Sequence, residues 1–423
     1  MDTSGNLTLT QLMTDLAAKA KAGAEGLRLA GPEARTQLIL SAAKHIRAQR
    51  DAILSANAAD VEAASQKGLS SAMVERLVLN PDRVEAMARG LEDVAALPDP
   101  VGKELARWER PNGLDIARVS TPIGVIGIIY ESRPNVTADA AALCIRSSNG
   151  AILRTGSEAL NSAKAIFVAF EKAFAEAELP AAVQLVPTAD RDAVGLLLGG
   201  LNDAVNLIIP RGGKSLVARV QAEARVPVLA HLEGLNHTYV HAEADADKAV
   251  SIVLNAKMRR VSVCGATETL LIDKAVAETL LPRIALALIE KGCELRGDEA
   301  ARAIQPMAAA SDDDWRTEYL DKILAVRVVN GLSEAVAHIR TYGTQHTEAI
   351  ITEDPQAAEA FLNEVDSAIV IWNASTQFAD GGEFGLGAEI GIATGRMHAR
   401  GPVGAEQLTT FKYVVRGSGQ TRP

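Results

Sequence analysis

The clearest signal of fold class is segment 123–154, which reads IGVIGIIYESRPNVTADAAALCIRSSNGAILR. It begins with an apolar run, Ile123–Tyr130, continues through an alanine-rich helical segment, and ends in a second apolar run, Ala151–Arg154. Short apolar strands that alternate with helices are typical of a parallel sheet with crossover helices. The segment therefore predicts an α/β fold.

The alternation continues towards the C-terminus in two series. The first series adds a helix over 157–177 and predicted strands at 183–187, 204–210 and 226–230. The second series contains the predicted strands 238–241, 269–272, 323–329, 349–352 and 368–372.

The flanking segments have different patterns. Residues 8–96 favour helices, with Pro32 in a first turn and Asn80-Pro81-Asp82 as a cap that begins the last helix. Segments 114–120 and 408–416 alternate apolar and polar residues and predict strands that lie outside the two series.

Composition excludes several classes of protein. The 423 residues include 53 acidic and 43 basic side chains, which argues against nucleic acid or an anionic membrane as the main partner. Three cysteines, Cys144, Cys264 and Cys293, indicate a reducing compartment rather than a disulfide framework. Residues 1–10 lack an apolar signal core, and the longest apolar run, Ile123–Tyr130, is too short to span a membrane. We expect a cytoplasmic protein.

Cys264 is the candidate nucleophile. It follows Arg259 and Arg260 and precedes the apolar run of the strand predicted at 269–272. Positive charge nearby favours the reactive thiolate, although most free cysteines are simply buried. No metal centre is expected, because His231, His237 and His241 do not have the spacing of a zinc protease.

Standard nucleotide-binding motifs are absent. A Gly-x-Gly-x-x-Gly pattern that starts at Gly385 meets Ile390 at its last position, and Gly213-Lys214-Ser215 lacks the first glycine of a P-loop because position 208 is Ile. The turn Pro210-Arg211-Gly212-Gly213 could hold a phosphate at a helix N-terminus, and an ordinary strand-to-helix turn explains it equally well.

Several segments together resemble the aldehyde dehydrogenase superfamily over nearly the whole chain. Within it, they are similar to the branch that reduces L-glutamyl 5-phosphate to L-glutamate 5-semialdehyde in proline biosynthesis. The resemblance rests on segments 130–137 (YESRPNVT), 152–159 (ILRTGSEA), 255–272 around Cys264, 342–346 (YGTQH), 380–389 (DGGEFGLGAE) and 398–402 (HARGP).

The resemblance implies roles for individual residues. Cys264 falls at the nucleophile, and Asn135 at the amide that helps to form the oxyanion hole, with the Cys264 backbone N–H as second donor. Arg154 stands where the superfamily holds the cofactor ribose, and a neutral Ser157 replaces a glutamate that would repel a 2′-phosphate, which indicates NADP(H). The turn of Pro210, Arg211, Gly212 and Gly213 would lie over the pyrophosphate, and Glu318 would bind the nicotinamide ribose.

One residue of the family pattern is missing. Aldehyde-oxidising relatives carry a water-activating glutamate in a Glu-Leu-Gly-Gly segment, whereas segment 231–234 reads HLEG, so that His231 stands at the base position and Glu233 is offset by two residues. An enzyme that exchanges its acyl group with phosphate needs no such base.

The substrate of this branch carries a phosphate and a carboxylate, which arginine binds well. The candidate ligands, which could equally be exposed residues paired with acidic neighbours, are Arg133, Arg259, Arg260, Arg396, His398 and Arg400. Glu268 and Glu383 could contact the substrate amine or serve as structural caps.

The resemblance also implies an architecture. We expect a Rossmann-type cofactor domain (1–104 and 122–232), a catalytic domain (233–407) and a β-flap (105–121 and 408–423) that pairs subunits of a homo-oligomer. Alternatives are another acylating aldehyde dehydrogenase, dependent on coenzyme A or phosphate, and a non-catalytic scaffold for the preceding kinase, glutamate 5-kinase. A transient complex with that kinase is compatible with an active enzyme.

Overall fold

The computed structural model describes residues 8–422, so most of the segment on which the missing signal core was judged lies outside it. The chain begins with a helical region, as predicted, formed by α1 (Leu9–Ala48), α2 (Arg50–Gln66), α3 (Ser71–Leu77) and α4 (Pro81–Ala96). The backbone of α1 leaves the helical region at Gly31, whose φ is 83°, and Pro32 begins its second half. The predicted cap is confirmed, because the Asn80 side chain accepts a hydrogen bond from Arg83 N (2.8 Å).

The remaining helices lie between and beside the strands. They are α5 (Val136–Arg146), α6 (Leu160–Glu176), α7 (Asp192–Leu198), α8 (Lys214–Glu223), α9 (Ala246–Met258), α10 (Lys274–Glu290), α11 (Glu299–Ile304), α12 (Gly331–Tyr342) and α13 (Pro355–Glu364).

The strands alternate with these helices along most of the chain. They are β1 (Glu104–Glu109), β2 (Asp115–Pro122), β3 (Val125–Tyr130), β4 (Gly150–Thr155), β5 (Val183–Leu185), β6 (Leu207–Arg211), β7 (Asn236–Val240), β8 (Thr267–Asp273), β9 (Glu294–Gly297), β10 (Ala308–Ala309), β11 (Ile323–Val329), β12 (Thr347–Ile351), β13 (Ile369–Trp372), β14 (Ile392–Ala393), β15 (Gly401–Pro402) and β16 (Thr409–Arg416).

The first predicted series forms a four-stranded parallel sheet in the order β5-β4-β3-β6. Every residue of β3 and β4 is buried, which explains why both strands are continuous apolar runs. The strand predicted at 226–230 is wrong, since that segment makes only an isolated bridge between Ile208 and Val228.

The second series forms a seven-stranded parallel sheet in the order β10-β9-β11-β8-β7-β12-β13. The helices α9 and α10 pack on one face of this sheet, against Leu270 and Ile272 of β8, and α12 and α13 pack on the other face, against Leu271. The predicted α/β fold class is thus confirmed. The order places β7 between β8 and β12, with all three strands parallel.

A third sheet is antiparallel and has the order β1-β2-β16. The strand β16 pairs with β2 along its whole length, from Thr409 opposite Pro122 to Arg416 opposite Asp115. Trp108, Phe411 and Tyr413 stack edge to face on its exposed surface. Within residues 8–422, no helix is both long enough and apolar enough to cross a membrane.

Candidate active site

A cavity of about 490 Å³ lies between the two parallel sheets. One wall is the turn after β6, where Pro210, Arg211, Gly212 and Gly213 lead into α8. The opposite wall carries Cys264 and Glu318 from the second series, together with His231 from the segment before β7. The cavity therefore brings the candidate nucleophile and the candidate cofactor turn into one space.

Cys264 lies in the turn between α9 and β8 and is partly exposed. The turn is held by a hydrogen bond from Ala266 N to Val263 O (3.0 Å). The Cys264 carbonyl accepts a hydrogen bond from Asn236 Nδ2 (2.6 Å). The backbone of the candidate nucleophile is thereby fixed to the first residue of β7.

Two histidines flank the thiol. The donor atoms of Cys264, His231 and His346 all lie within 4.8 Å of one another. The imidazole rings of the two histidines meet edge to face, with centroids 4.9 Å apart. These residues come shortly before β8, β7 and β12, which are adjacent and parallel, so the sheet itself gathers them at its amino edge.

Each imidazole is oriented by its Nδ1 atom. His231 Nδ1 lies 2.6 Å from the Ile392 carbonyl oxygen, and His346 Nδ1 lies 2.8 Å from Thr347 Oγ1. The carbonyl can only accept, so Nδ1 of His231 carries a proton. His346 Nε2 is buried and, among the described residues, has no hydrogen-bond partner. The Nε2 atoms are therefore the ones left for other partners.

The electrostatic balance favours a thiolate. Burial raises the pKa of Cys264, but the neighbouring His346 and His231 outweigh burial and hold that pKa well below its usual value. The pKa of His231 is raised in turn, because its interaction with the thiolate outweighs burial. Sequence reasoning identifies His231 only as the residue that replaces the base, and it assigns no role to His346, although His346 lies in the quoted segment 342–346.

Arginines dominate the charge of the cavity. The lining includes the predicted Arg133, Arg259 and Arg260, together with Arg211 and with Arg76, which was missed in the helical region. Burial and the nearby Arg211 and Arg76 lower the pKa of Arg133 to about 9. Within residues 8–422, no carboxylate lies within ion-pair distance of Arg133. An anion would relieve this crowding of positive charge.

Asn135 is the N-cap residue of α5 and lines an adjoining cavity that shares Arg133, Arg211 and Arg260 with the first. Its Nδ2 atom donates to Asp139 Oδ2 (2.9 Å), a carboxyl group whose pKa burial raises to about 6. An amide nitrogen carries two hydrogens, so one remains for another acceptor.

The turn after β6 is open to an anionic ligand. A Cβ atom on Gly213 would meet no atom within 4 Å. Gly213 N donates to Glu131 Oε2 (3.2 Å), so a phosphate at this helix N-terminus would replace that carboxylate. Glu318 Oε1 accepts from Gly234 N (2.9 Å) across the same cavity.

Two predicted cofactor ligands lie farther from Cys264, near the carboxyl end of β4. Arg154 Nη2 donates to the carbonyl oxygens of Ala189 (3.0 Å) and Asp190 (3.3 Å). Ser157 is exposed at the start of a single 3₁₀ turn. Among the described residues, neither belongs to the lining of the Cys264 cavity.

Three expected substrate ligands lie outside the Cys264 cavity in this structure. Arg396 and Arg400 both form ion pairs with Asp366, and His398 Nε2 lies 2.9 Å from the Gln407 carbonyl oxygen. Their polar groups are already engaged, and the lining of the Cys264 cavity, within the part of the chain described, contains none of them.

The two uncertain glutamates also differ in position. Glu268 is buried and forms an ion pair with Lys257 (2.6 Å), while its other oxygen accepts from Leu320 N (3.2 Å). It therefore fixes the loop that carries Glu318 and does not face the cavity. Glu383 is exposed. A third glutamate, Glu389, was missed; it pairs with Arg211 (3.5 Å) in the cavity wall, and burial raises its pKa to about 7.

Comparison with known proteins gives a consistent result. The profile of the aldehyde dehydrogenase family matches residues 10–323. Gamma-glutamyl phosphate reductase of Caulobacter sp. (strain K31) is 65% identical over 99% of this chain and 100% of its own, and that of Paramagnetospirillum magneticum is 61% identical over 98% of each chain.

Solved structures agree with this assignment. The crystal structure of gamma-glutamyl phosphate reductase from Thermotoga maritima superposes with a TM-score of 0.94 at 44% identity, over 97% of this chain and 100% of its own. An acetylating aldehyde dehydrogenase from Geobacillus thermoglucosidasius shares the fold, with a TM-score of 0.70 at 17% identity over 98% of each chain. The chain therefore belongs to the gamma-glutamyl phosphate reductases, oxidoreductases of the aldehyde dehydrogenase family.

Proposed function

We propose that this protein reduces L-glutamyl 5-phosphate to L-glutamate 5-semialdehyde and phosphate with NADPH, as a step of proline biosynthesis. The observation that carries the proposal is Cys264 held between His231 and His346 in a cavity rich in arginine. The names of the full-length relatives agree with this substrate.

The nucleophilic step uses the thiolate. Cys264 Sγ attacks the acyl carbon of the substrate, and a C–S bond forms as the carbonyl π electrons move to oxygen. The tetrahedral oxyanion then collapses, and the bond breaks between the acyl carbon and the oxygen that bridges it to phosphorus. Phosphate leaves with the electron pair of that bond. A histidine-stabilised thiolate is ready for this attack without a separate deprotonation.

The oxyanion needs donors. The free hydrogen of the Asn135 amide and the backbone N–H of Cys264 are the proposed pair, each worth about 3 kcal/mol if aimed at the developing charge. Because Asn135 also binds Asp139, the carboxyl group of Asp139 would orient the amide.

The substrate is an anion at both ends. Arg133 is the proposed phosphate ligand, because it lines both adjoining cavities without a carboxylate partner among the described residues. Arg260 and Arg259 remain candidates for the second anionic group. Arg259 is only weakly engaged, by Gln377 Oε1 at 3.4 Å.

The residues present fit a nicotinamide dinucleotide, because one cavity joins the open helix N-terminus at Gly213 to Cys264. The turn 210–213 would hold the pyrophosphate, Arg154 and Ser157 the adenosine side, and Glu318 the nicotinamide ribose. The uncharged Ser157 supports NADP(H) over NAD(H). When bound, the cofactor supplies the hydride that reduces the acyl group.

The acyl group would be exchanged with phosphate rather than water. His231 occupies the position of the water-activating glutamate and interacts with Cys264. Glu233, the nearest carboxylate in the sequence, is paired with Lys214 at 2.6 Å. The interaction of His231 with the thiolate and the ion pair of Glu233 support exchange with phosphate rather than hydrolysis.

The residues of the antiparallel sheet support oligomerisation. We propose that its exposed aromatic side chains pair two subunits, and that the four-stranded and seven-stranded sheets form the cofactor and catalytic domains. A transient complex with the kinase that makes the acyl phosphate would shorten the exposure of that labile compound to water.

The experiment that tests the proposed function follows NADP reduction with L-glutamate 5-semialdehyde. Turnover should require inorganic phosphate and vanish in Cys264→Ser. Equal rates without phosphate would mean hydrolysis, and a requirement for coenzyme A would identify a different acylating dehydrogenase. Loss of folding in Cys264→Ser is checked by circular dichroism.

A further inference from the structure

We propose that Cys264, His231 and His346 form a binding site for a thiophilic divalent cation of the Zn²⁺ class, which reversibly blocks the nucleophile. The three donor atoms lie within 4.8 Å of one another at the amino edge of three adjacent strands. The proposed reduction uses no metal ion. Inhibition rests on the proposed role of Cys264, whereas binding of the cation does not.

The donor set matches this class of cation. One thiolate and two imidazoles are ligands that Zn²⁺ prefers, and oxygen-seeking cations such as Mg²⁺ are not bound by such a set. With a Zn–S distance of about 2.3 Å and Zn–N distances of about 2.0–2.1 Å, tetrahedral donors lie roughly 3.5 Å apart. Side-chain rotations that draw the donors together by about 1 Å would complete the site.

The surrounding contacts orient both imidazoles for a metal. Because His231 Nδ1 donates to the Ile392 carbonyl, the lone pair of neutral His231 is on Nε2. His346 is anchored through Nδ1 to Thr347 Oγ1, and its Nε2 is buried without a hydrogen-bond partner in the described part of the chain. His346 Nε2, which lies beside the Cys264 thiol, is therefore available as a ligand atom for a cation.

The shape and the charges of the cavity determine which cations can bind. It leaves a fourth position on the open side of Cys264, as in zinc sites that keep a water molecule. Arg133 and Arg211 repel a cation, while Glu318 and Glu389 offset part of that repulsion. Covalent character in the metal–thiolate bond lets a thiophilic cation enter where a purely electrostatic one is excluded.

Binding would switch off catalysis by occupying the electron pair of the thiolate. The ligand atoms must lose their protons, so binding of the cation releases protons to solvent. Substrate and cation compete for the same sulfur atom, and a chelator restores activity.

The test uses Co²⁺ as a spectroscopic probe on the full chain after treatment with a chelator. Wild-type protein should show a thiolate-to-Co²⁺ charge-transfer band and the intense visible bands of a tetrahedral complex. Cys264→Ser should lose the charge-transfer band although it retains Cys144 and Cys293. His346→Ala should weaken Co²⁺ binding at least tenfold, and His346→Gln serves if the alanine variant does not fold.

The matched control is His45→Ala, which removes a histidine that pairs with Glu176 on the surface. It should bind Co²⁺ as wild type does. In the activity assay, Zn²⁺ should inhibit wild type, EDTA should reverse the inhibition, and Mg²⁺ should have no effect. Undiminished Co²⁺ spectra in Cys264→Ser or in a folded His346 variant would overturn the proposal, and this outcome is independent of whether the proposed substrate is correct.

Discussion

The carbonyl oxygen of Cys264 faces the α-carbon of Gly234 so closely that no side chain fits between them. A Cβ atom on Gly234 would lie 2.1 Å from that oxygen. The same oxygen accepts a hydrogen bond from Asn236 (2.6 Å). The position of the nucleophile thus depends on a glycine and an asparagine at the start of β7.

The first prediction concerns this contact. Gly234→Ala should lower kcat by about 100-fold, because the new methyl group overlaps backbone atoms and must displace Cys264 from its reacting position. Gly195→Ala, a change in α7 where a Cβ meets no atom within 4 Å, should leave kcat unchanged. Steady-state kinetics of both variants test this prediction, and a wild-type kcat in Gly234→Ala would contradict it.

The second prediction concerns thiol reactivity against pH. The pKa of Cys264 lies well below its usual value, so alkylation by iodoacetamide should remain fast at pH values where an ordinary thiol, with a pKa of about 8.5, is protonated. His346→Ala should move the midpoint of the rate profile upward, since it removes one of the two groups that favour the thiolate.

Mass spectrometry identifies the modified residue in that experiment. Burial raises the pKa of Cys144 to about 12 and that of Cys293 to about 11, so both should stay unmodified. Cys264→Ser serves as the negative control for alkylation at this site. An unchanged midpoint in folded His346→Ala would show that His346 does not stabilise the thiolate.

The third prediction concerns Arg133. Burial and the neighbouring Arg211 and Arg76 lower its pKa to about 9, so at pH 7 the guanidinium is charged in both the folded and the unfolded protein, and folding carries the full cost of burying this charge. A bound anion relieves the penalty. Phosphate should therefore raise the Tm of wild type, and raise it less in Arg133→Gln.

Arg396→Gln is the matched control for charge, because Arg396 pairs with Asp366 outside the Cys264 cavity. It should keep the wild-type response to phosphate. Arg133→Gln should also raise KM for the acyl phosphate at least tenfold. Equal thermal shifts in all three proteins would exclude Arg133 as a phosphate ligand.

The fourth prediction concerns the buried pair of Lys257 and Glu268. Lys257→Met should lower the free energy of unfolding by about 3–5 kcal/mol, because it leaves a buried carboxylate without its cation. The double variant with Glu268→Gln should recover most of this loss. Urea denaturation measures each variant.

The pH dependence of that loss follows from Glu268. Burial raises its pKa to about 7 in the folded protein, against about 4.3 in an unfolded chain. The stability that it contributes is complete below about pH 4.3 and is lost as pH rises through 7. Lys257→Met should therefore be more strongly destabilised at pH 8 than at pH 5; the opposite order would contradict this assignment.

The fifth prediction concerns the antiparallel sheet. Tyr413→Glu should reduce the oligomeric state, because it places a charge within the exposed aromatic surface that also contains Trp108 and Phe411. Leu29→Glu alters an even more exposed apolar residue on α1 and should not change the oligomeric state. Light scattering after size exclusion measures both, and a monomeric wild type would refute the proposed pairing.

Much of the fold could be predicted from the sequence, because buried parallel strands are continuous apolar runs. The strands β9 and β10 were missed, since they are short and have exposed residues. Segment 226–230 was predicted as a strand from its apolar residues, but it makes only one bridge to β6. A local run of apolar residues indicates that a segment is buried more reliably than it indicates that the segment pairs as a strand.

The site was less predictable, because it depends on strand order. His346 becomes a neighbour of Cys264 only because β7 lies between β8 and β12, which no local pattern reveals. Arg396 and Arg400 are candidate substrate ligands in the sequence because arginine binds phosphate and carboxylate well; their ion pairs with Asp366 join segments that are distant in sequence and cannot be predicted from a local pattern. The family resemblance indicated the nucleophile but not the groups that set its charge.

The order of β8, β7 and β12 also determines when the thiol becomes reactive during folding. His231, Cys264 and His346 come from distant parts of the chain, and long-range strand pairing is slow compared with helix formation. Until β12 docks on β7, Cys264 lacks His346, one of the two groups that favour its thiolate, and should react more slowly below neutral pH than in the folded protein. Rapid alkylation of Cys264 below neutral pH would therefore report that the last of these three strands has joined the sheet.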